Sequence, residues 1–194
     1  NLNINGGSFT YYDDIAPQHL IVEGNINIAG TNGACIIVWD SNYGFTPYQN
    51  GPAVANTLAV GGNIINNGVT HATYPTIFFG LNLFRNDGSP HYVDLSFFGS
   101  NNASVSGTGS MNVRMVTVNK GTSGATNLDL LNGGTMTTLT NNWLTLQNGT
   151  LRYMRTNPNS DFTISTTTPF NIPTTAGLYI DLPSNTGSRN ILVG

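Results

Sequence analysis

The hydrophobic positions of this chain fall in short runs with a period of two. Leu128-x-Leu130 leads into Asn132-Gly133, and Leu144-x-Leu146 leads into Asn148-Gly149 and then Leu151. Such alternation suits a strand buried on one face, and Asn-Gly supplies the positive φ angles of a tight turn. The same phrase opens the chain at Leu2-x-Ile4-x-Gly6 and returns at Leu20-x-Val22, Ile26-x-Ile28, Leu58-x-Val60 and Val116-x-Val118. A phrase this short cannot bury its apolar side alone. It predicts stacked copies, each strand pairing with its counterpart in the next copy. Positions 128, 144, 162 and 178 mark nearly even steps through the second half, and no segment carries the 3.6-residue period of a helix.

The expected fold is therefore all-β: a right-handed parallel β-helix, a β-solenoid of two or three strands per coil. Coils of about 18 to 28 residues would give roughly seven to ten of them. Outward Asn and Thr would form ladders between coils, which accounts for the Thr-rich stretches 135–140 and 163–168. Ala34 to Trp39 is a continuous apolar run, suited to a strand covered on both faces. Around residues 70–100 the pattern changes. Two aromatic-rich strands, Thr76 to Phe84 and Val93 to Phe98, flank a turn at Arg85 to Pro90, which predicts a lateral hairpin or loop excursion. Residues 1–194 read as one solenoid domain. Both ends read as interior repeat, so the expectation is a segment of a longer or processed chain.

Composition changes the picture in one respect. Only 8% of residues are charged, against about a quarter in an average soluble protein. Asn, Thr, Ser and Gly take their place, so the expected surface is hydrated by neutral groups. The net charge of -3, the single lysine Lys120 and five scattered arginines give no basic footprint, which excludes nucleic acid as the expected partner. Cys35 is the one cysteine, and between Ala34 and Ile36 it reads as a small buried apolar residue. No apolar stretch approaches the length of a transmembrane helix.

Candidate chemistry is thin. His19, His71 and His91 share no metal-ligand spacing, and no metal or other cofactor is expected. Asp13-Asp14 are the only adjacent acids, with no basic residue beside them, so no catalytic residues are assigned. Asp87, Ser89 and Asp94 could offer oxygens to a cation, but a plain turn explains them as well. Trp39, Tyr43 and Tyr48 concentrate in the irregular first half, where exposed rings with Asp87 and Asp94 would suit a carbohydrate ligand. Leu2 and Ile4 at one end, with Ile191 and Val193 at the other, are candidates for end-to-end assembly, since the end coils of a solenoid present unpaired strand edges.

The stretches Asn142 to Tyr153, Phe162-Thr163-Ile164 and Ile172 to Leu178 resemble repeat-bearing secreted proteins of Bacteroidota, which are very large surface proteins of parallel β-helix type, often exported by the type IX route. The resemblance covers about the last 80 residues. It implies a secreted or cell-surface location and a structural or adhesive role, with self-association or other surface proteins as partners. A carbohydrate-binding or polysaccharide-degrading β-helix is the alternative. Ice binding by Thr ladders, hinted at by Thr135-x-Thr137, is a weaker one.

Overall fold

The computed structural model describes residues 1–12, 16–30, 34–39, 55–69, 80–84, 92–154, 162–164, 169–181 and 191–193. In chain order the strands follow a three-beat rhythm. The first coil holds β1 (Leu2–Ile4), β2 (Ser8–Tyr12) and β3 (His19–Val22). The second holds β4 (Ile26–Ile28), β5 (Cys35–Trp39) and β6 (Ala55–Val60), and the third β7 (Ile64–Asn66), β8 (Gly80–Asn82) and β9 (Tyr92–Phe97). Then come β10 (Ala103–Ser106), β11 (Met111–Val113) and β12 (Val116–Asn119), followed by β13 (Asn127–Leu130), β14 (Met136–Thr138) and β15 (Leu144–Tyr153). The chain closes with β16 (Phe162–Ile164), β17 (Ala176–Ile180) and β18 (Ile191–Val193). No helix occurs among the described residues.

From β1 to β12 each strand pairs in parallel with the strand three places on, which is the signature of a solenoid. A first face runs β1, β4, β7, β10, β13, β15 and β17. A second runs β2, β5, β8, β11 and β14. A third runs β3, β6, β9, β12 and again β15. β15 turns a corner in mid-strand, so its first half closes the third face and its second half continues the first. Strands β16 and β18 pair separately. The chain is a parallel β-solenoid with three strands per coil.

Register carries the alternation into columns. On the third face Leu20, Leu58, Leu95, Val116 and Leu144 stack in one column, and Val22, Val60, Phe97, Val118 and Leu146 in the next. On the first face Leu2, Ile26, Ile64, Val105, Leu130, Tyr153 and Ile180 make a third. Nearly all of these are buried, and they meet in one core enclosed by the three faces. A fully buried Leu or Ile contributes roughly 1.5–3 kcal/mol. Exposed ion pairs contribute about 0–1 kcal/mol, so the columns, not the surface charges, hold the coils together.

Two expectations are corrected here. The phrases at 128 and 144 are not successive copies that pair. Leu128 lies on the first face and pairs with Leu151, whereas Leu144 lies on the third and pairs with Val116. The even steps of the second half pass from face to face, and those from 128 to 178 span two coils, Leu128 pairing with Leu151 and Leu151 with Leu178. Coil length is also more variable than expected. Hydrogen bonds between equivalent corners span 24, 38, 41 and 25 residues. The longer coils contain residues 40–54, 70–79 and 85–91, which lie outside the described ones. Around 70–100, β8 and β9 each join a face of the solenoid, and an antiparallel bridge joins Phe84 to Tyr92; residues 70–79 and 85–91, where the excursion is expected, lie outside the described residues.

The corners explain the abundance of asparagine. Where the third face turns into the first, Asn1 Oδ1 accepts the Asn25 N–H at 2.7 Å and Asn25 Oδ1 accepts the Asn63 N–H at 2.8 Å. Asn63 Oδ1 accepts the Ser104 N–H at 2.8 Å, and Asn102 Oδ1 serves Asn127 in the same way. Each side chain satisfies a backbone donor one coil on. Ladders between coils are thus present from side chain to backbone, and also between like side chains, where Asn112 Nδ2 donates to Asn82 Oδ1 at 3.1 Å and Asn148 Nδ2 to Asn119 Oδ1 at 2.8 Å. Among the described residues of the Thr stretches, Thr137 pairs with Asn112, Thr138 with Val113 and Thr163 with Leu192.

Candidate functional site

Of the five residues expected to bind a ligand, one has a described side chain. Asp94 sits outward on β9, and its carboxylate is taken by Arg114: Nε donates to Oδ1 at 2.8 Å and Nη2 donates to Oδ2. The same guanidinium lies 3.7 Å from the centroid of the Tyr92 ring. Arg114 is thereby sandwiched between an aromatic face and an acid, a neutral and self-satisfied cluster on the solenoid wall. Both carboxylate oxygens of Asp94 are thus engaged by Arg114. The backbone of Trp39 pairs with Tyr12 at the end of β5. Tyr43, Tyr48 and Asp87 lie outside the described residues, as do Asp13, Asp14, His71 and His91.

The assembly candidates lie on outer strands. Leu2 and Ile4 belong to β1, where the first face begins, and Ile191 and Val193 pair with Phe162 and Ile164 through β18. His19 is on the outer side of the third face, with Nδ1 2.7 Å from the Thr57 hydroxyl. Cys35 is fully buried, and burial pushes its thiol up to about 12. It is the inert core residue that its neighbours imply.

The structure adds two features that the sequence reading did not assign. Lys120 is fully buried, and its Nζ donates to the carbonyls of Phe98 at 2.7 Å and Gly61 at 2.9 Å. Burial holds its pKa below the ordinary lysine value. A signal for this was present: Lys120 continues the inward phase of Val116 and Val118. The second feature is on the outer side of the first face, where Asp129, Arg152 and Tyr179 form one column. Arg152 Nε lies 3.0 Å from Asp129 Oδ1, and above them the Tyr179 side chain is half-exposed.

Among the described residues, no group of three or more His, Cys, Asp or Glu side chains is placed to hold a metal ion, and no helix is long and apolar enough to cross a membrane. Comparison with protein-family models, with curated proteins and with solved structures finds no match to this chain. What the fold and these clusters define is a parallel β-solenoid with a low-charge wall.

Proposed function

We propose that this chain is an extracellular structural and adhesive solenoid, a rod whose work is mechanical. The observation that carries the reading is the unbroken column from Leu2 to Ile180, seven ranks of parallel pairing along one face. At about 4.8 Å per rank, such pairing resists shear along its whole length. The 8% charge content supports the same reading, because a neutral hydrogen-bonding wall can lie against glycans or other chains without ionic selectivity. The resemblance of residues 142–178 to surface proteins of Bacteroidota points the same way, as does the apolar-x-apolar edge at Leu2 and Ile4, which suits end-to-end contact.

Sedimentation velocity over a concentration series, with electron micrographs of the same samples, tests this. Filaments one solenoid wide are expected. A chain that stays monomeric at high concentration with its outer strands ordered would sink the assembly part of the reading.

A carbohydrate-binding role is favoured by one specific observation, the half-exposed Tyr179 above the Arg152–Asp129 pair. An aromatic face beside fixed polar groups is the arrangement that packs and orients a sugar ring. Its test is retention on insoluble polysaccharides, with Tyr179→Ala as the control. Equal retention of the two chains would remove it.

A further inference from the structure

Four Asn-Gly pairs lie among the described residues, at Asn5-Gly6, Asn67-Gly68, Asn132-Gly133 and Asn148-Gly149. Those at 32–33 and 50–51 lie outside them. An asparagine followed by glycine can modify itself, because no side chain shields the next backbone nitrogen from the asparagine's own Cγ. The reaction needs that nitrogen free to shed its proton and the side-chain amide free to swing over it. What holds these two groups therefore decides which pair can react.

Three of the pairs are held. The Gly68 N–H donates to Asn66 Oδ1 at 3.3 Å, and Asn67 Oδ1 accepts the Thr108 N–H at 3.2 Å. The Gly133 N–H donates to the Gly107 carbonyl at 2.8 Å, and the buried Asn132 donates through Nδ2 to the Gly109 carbonyl at 2.9 Å. The Gly149 N–H donates to the Thr175 carbonyl at 3.0 Å, and Asn148 Nδ2 to Asn119 Oδ1 at 2.8 Å. Asn5-Gly6 differs. Both residues are exposed, and among the described residues neither the Gly6 N–H nor the Asn5 side chain has a hydrogen-bond partner. Local sequence does not explain the difference. Asn5-Gly6-Gly7 and Asn132-Gly133-Gly134 are the same tripeptide, each preceded by an aliphatic residue, and each turns the chain from the first face to the second. The fold clamps one and leaves the other open.

We propose that Asn5 is a self-modification site of the folded chain. The Gly6 nitrogen attacks Asn5 Cγ, and the new N–C bond closes a five-membered succinimide. The bond from Cγ to Nδ2 breaks, and ammonia leaves with the proton that Gly6 gives up. Water then opens the ring at either carbonyl, yielding aspartate or isoaspartate. Water enters, ammonia departs, and nothing is oxidised or reduced. The product carries a carboxylate where the first coil had a neutral amide. In the isoaspartate form the main chain also runs through the side-chain methylene, which lengthens it at a tight contact. A Cβ on Gly30 of the next coil would already lie 2.8 Å from the carbonyl carbon and oxygen of Asn5. The corner of the first coil must then lift from the second, beside the bond from the Ala29 N–H to the Ile4 carbonyl at 2.8 Å. None of this depends on the rod reading, since a monomer would react equally well.

The test is to age the full chain in mildly alkaline buffer, folded and in urea, and to map both samples by peptide mass spectrometry. The readout at each asparagine is the mass gained when NH2 becomes OH, with isoaspartate distinguished by its retention time. In the folded chain Asn5 should convert at least about tenfold faster than Asn132, whose reaction must wait for the coil to open locally. In urea the two should converge to within about twofold, because the tripeptides are the same. An Asn5 that stays intact while the folded chain ages would overturn the proposal, as would equal rates at the two sites. So would a preference for Asn5 that persists in urea, since it would trace to sequence and not to the corner. Hydrogen exchange then reads the consequence. The Ala29 amide should exchange faster in the aged chain than in Asn5→Gln aged alongside it, and equal exchange would overturn the loosening of the first coil.

Discussion

The ammonium of Lys120 donates to the carbonyl of Gly61 at 2.9 Å across 59 residues of chain. On the way it also meets the carbonyl of Phe98, 22 residues back. The side chain therefore runs along the solenoid axis and ties three successive coils at the corner between the third and first faces. A buried charge normally costs several kcal/mol unless paired. Here the partners are backbone dipoles that need donors themselves, so the ammonium and the corner satisfy each other. Lys120→Met keeps the apolar stem and removes the donors. Two carbonyls are orphaned while one ammonium is relieved of its desolvation, and a net loss of about 2 kcal/mol is expected. Urea unfolding measures it, and a variant as stable as the parent would show the clasp to be dispensable.

The same residue gives a pH signature. Burial lowers the Lys120 pKa from its ordinary 10.5, so the folded chain releases this proton earlier than the unfolded one. Between the folded pKa and 10.5 the unfolded chain binds more protons, and stability contributed by this group rises with pH through that window. Cys35 acts oppositely: with its thiol raised from 9.0 to about 12, its contribution falls across that interval. In a Cys35→Ala background, the advantage of Lys120 over Lys120→Met should therefore widen as pH rises through that window. A difference that stays flat with pH would mean that the lysine titrates as a solvated group.

Which residues face inward was legible from alternation alone. Ile26, Leu58, Val118 and Leu128 are all buried as their phase implies. Lys120 shares that phase, and its inward course was readable in Val116-x-Val118-x-Lys120, but a sole lysine in a low-charge chain reads first as a surface residue. What alternation does not encode is the face to which a strand belongs. Leu128-x-Leu130 and Leu144-x-Leu146 are the same phrase because every face has the same period of two. Nor does it encode coil length, which varies with loops that carry no period. Asp94 reads in the sequence as a candidate ligand for a cation or a sugar, and in the fold its carboxylate meets Arg114. Its partner Arg114 could not be identified without the register that brings β12 beside β9.

Gly107 makes a sharper prediction. Its φ is +104°, and a Cβ there would be driven onto the backbone carbonyl of Asn66, whose oxygen also accepts the Gly109 N–H at 2.7 Å. That carbonyl cannot move aside without losing its bond. Gly107→Ala is expected to cost about 3 kcal/mol or more, from the left-handed backbone plus the contact. Gly7, at φ +75°, has nothing within 4 Å of its ideal Cβ. Gly7→Ala should cost only the conformational part, about 1 kcal/mol. Paired denaturation curves compare them, and equal losses would mean that the Gly107 corner yields.

The asparagine ladder can be tested at one rung. Asn63 Oδ1 accepts the Ser104 N–H at 2.8 Å and lies 3.2 Å from the Ser104 hydroxyl. If its role is to satisfy that donor, the acceptor matters and the amide nitrogen does not. Asn63→Ala should cost about 1 kcal/mol, and Asn63→Asp, which keeps an oxygen at the same place, should stay within a few tenths. Global stability alone would not separate this from a lost side-chain packing contact, so the readout is hydrogen exchange at the Ser104 amide. Protection there should fall in the alanine variant and survive in the aspartate variant, while amides of β13 on the next coil change little. Should both variants lose protection equally, the corner would depend on the asparagine's amide nitrogen or its packing, and the ladder would not be held by the oxygen that now accepts the bond.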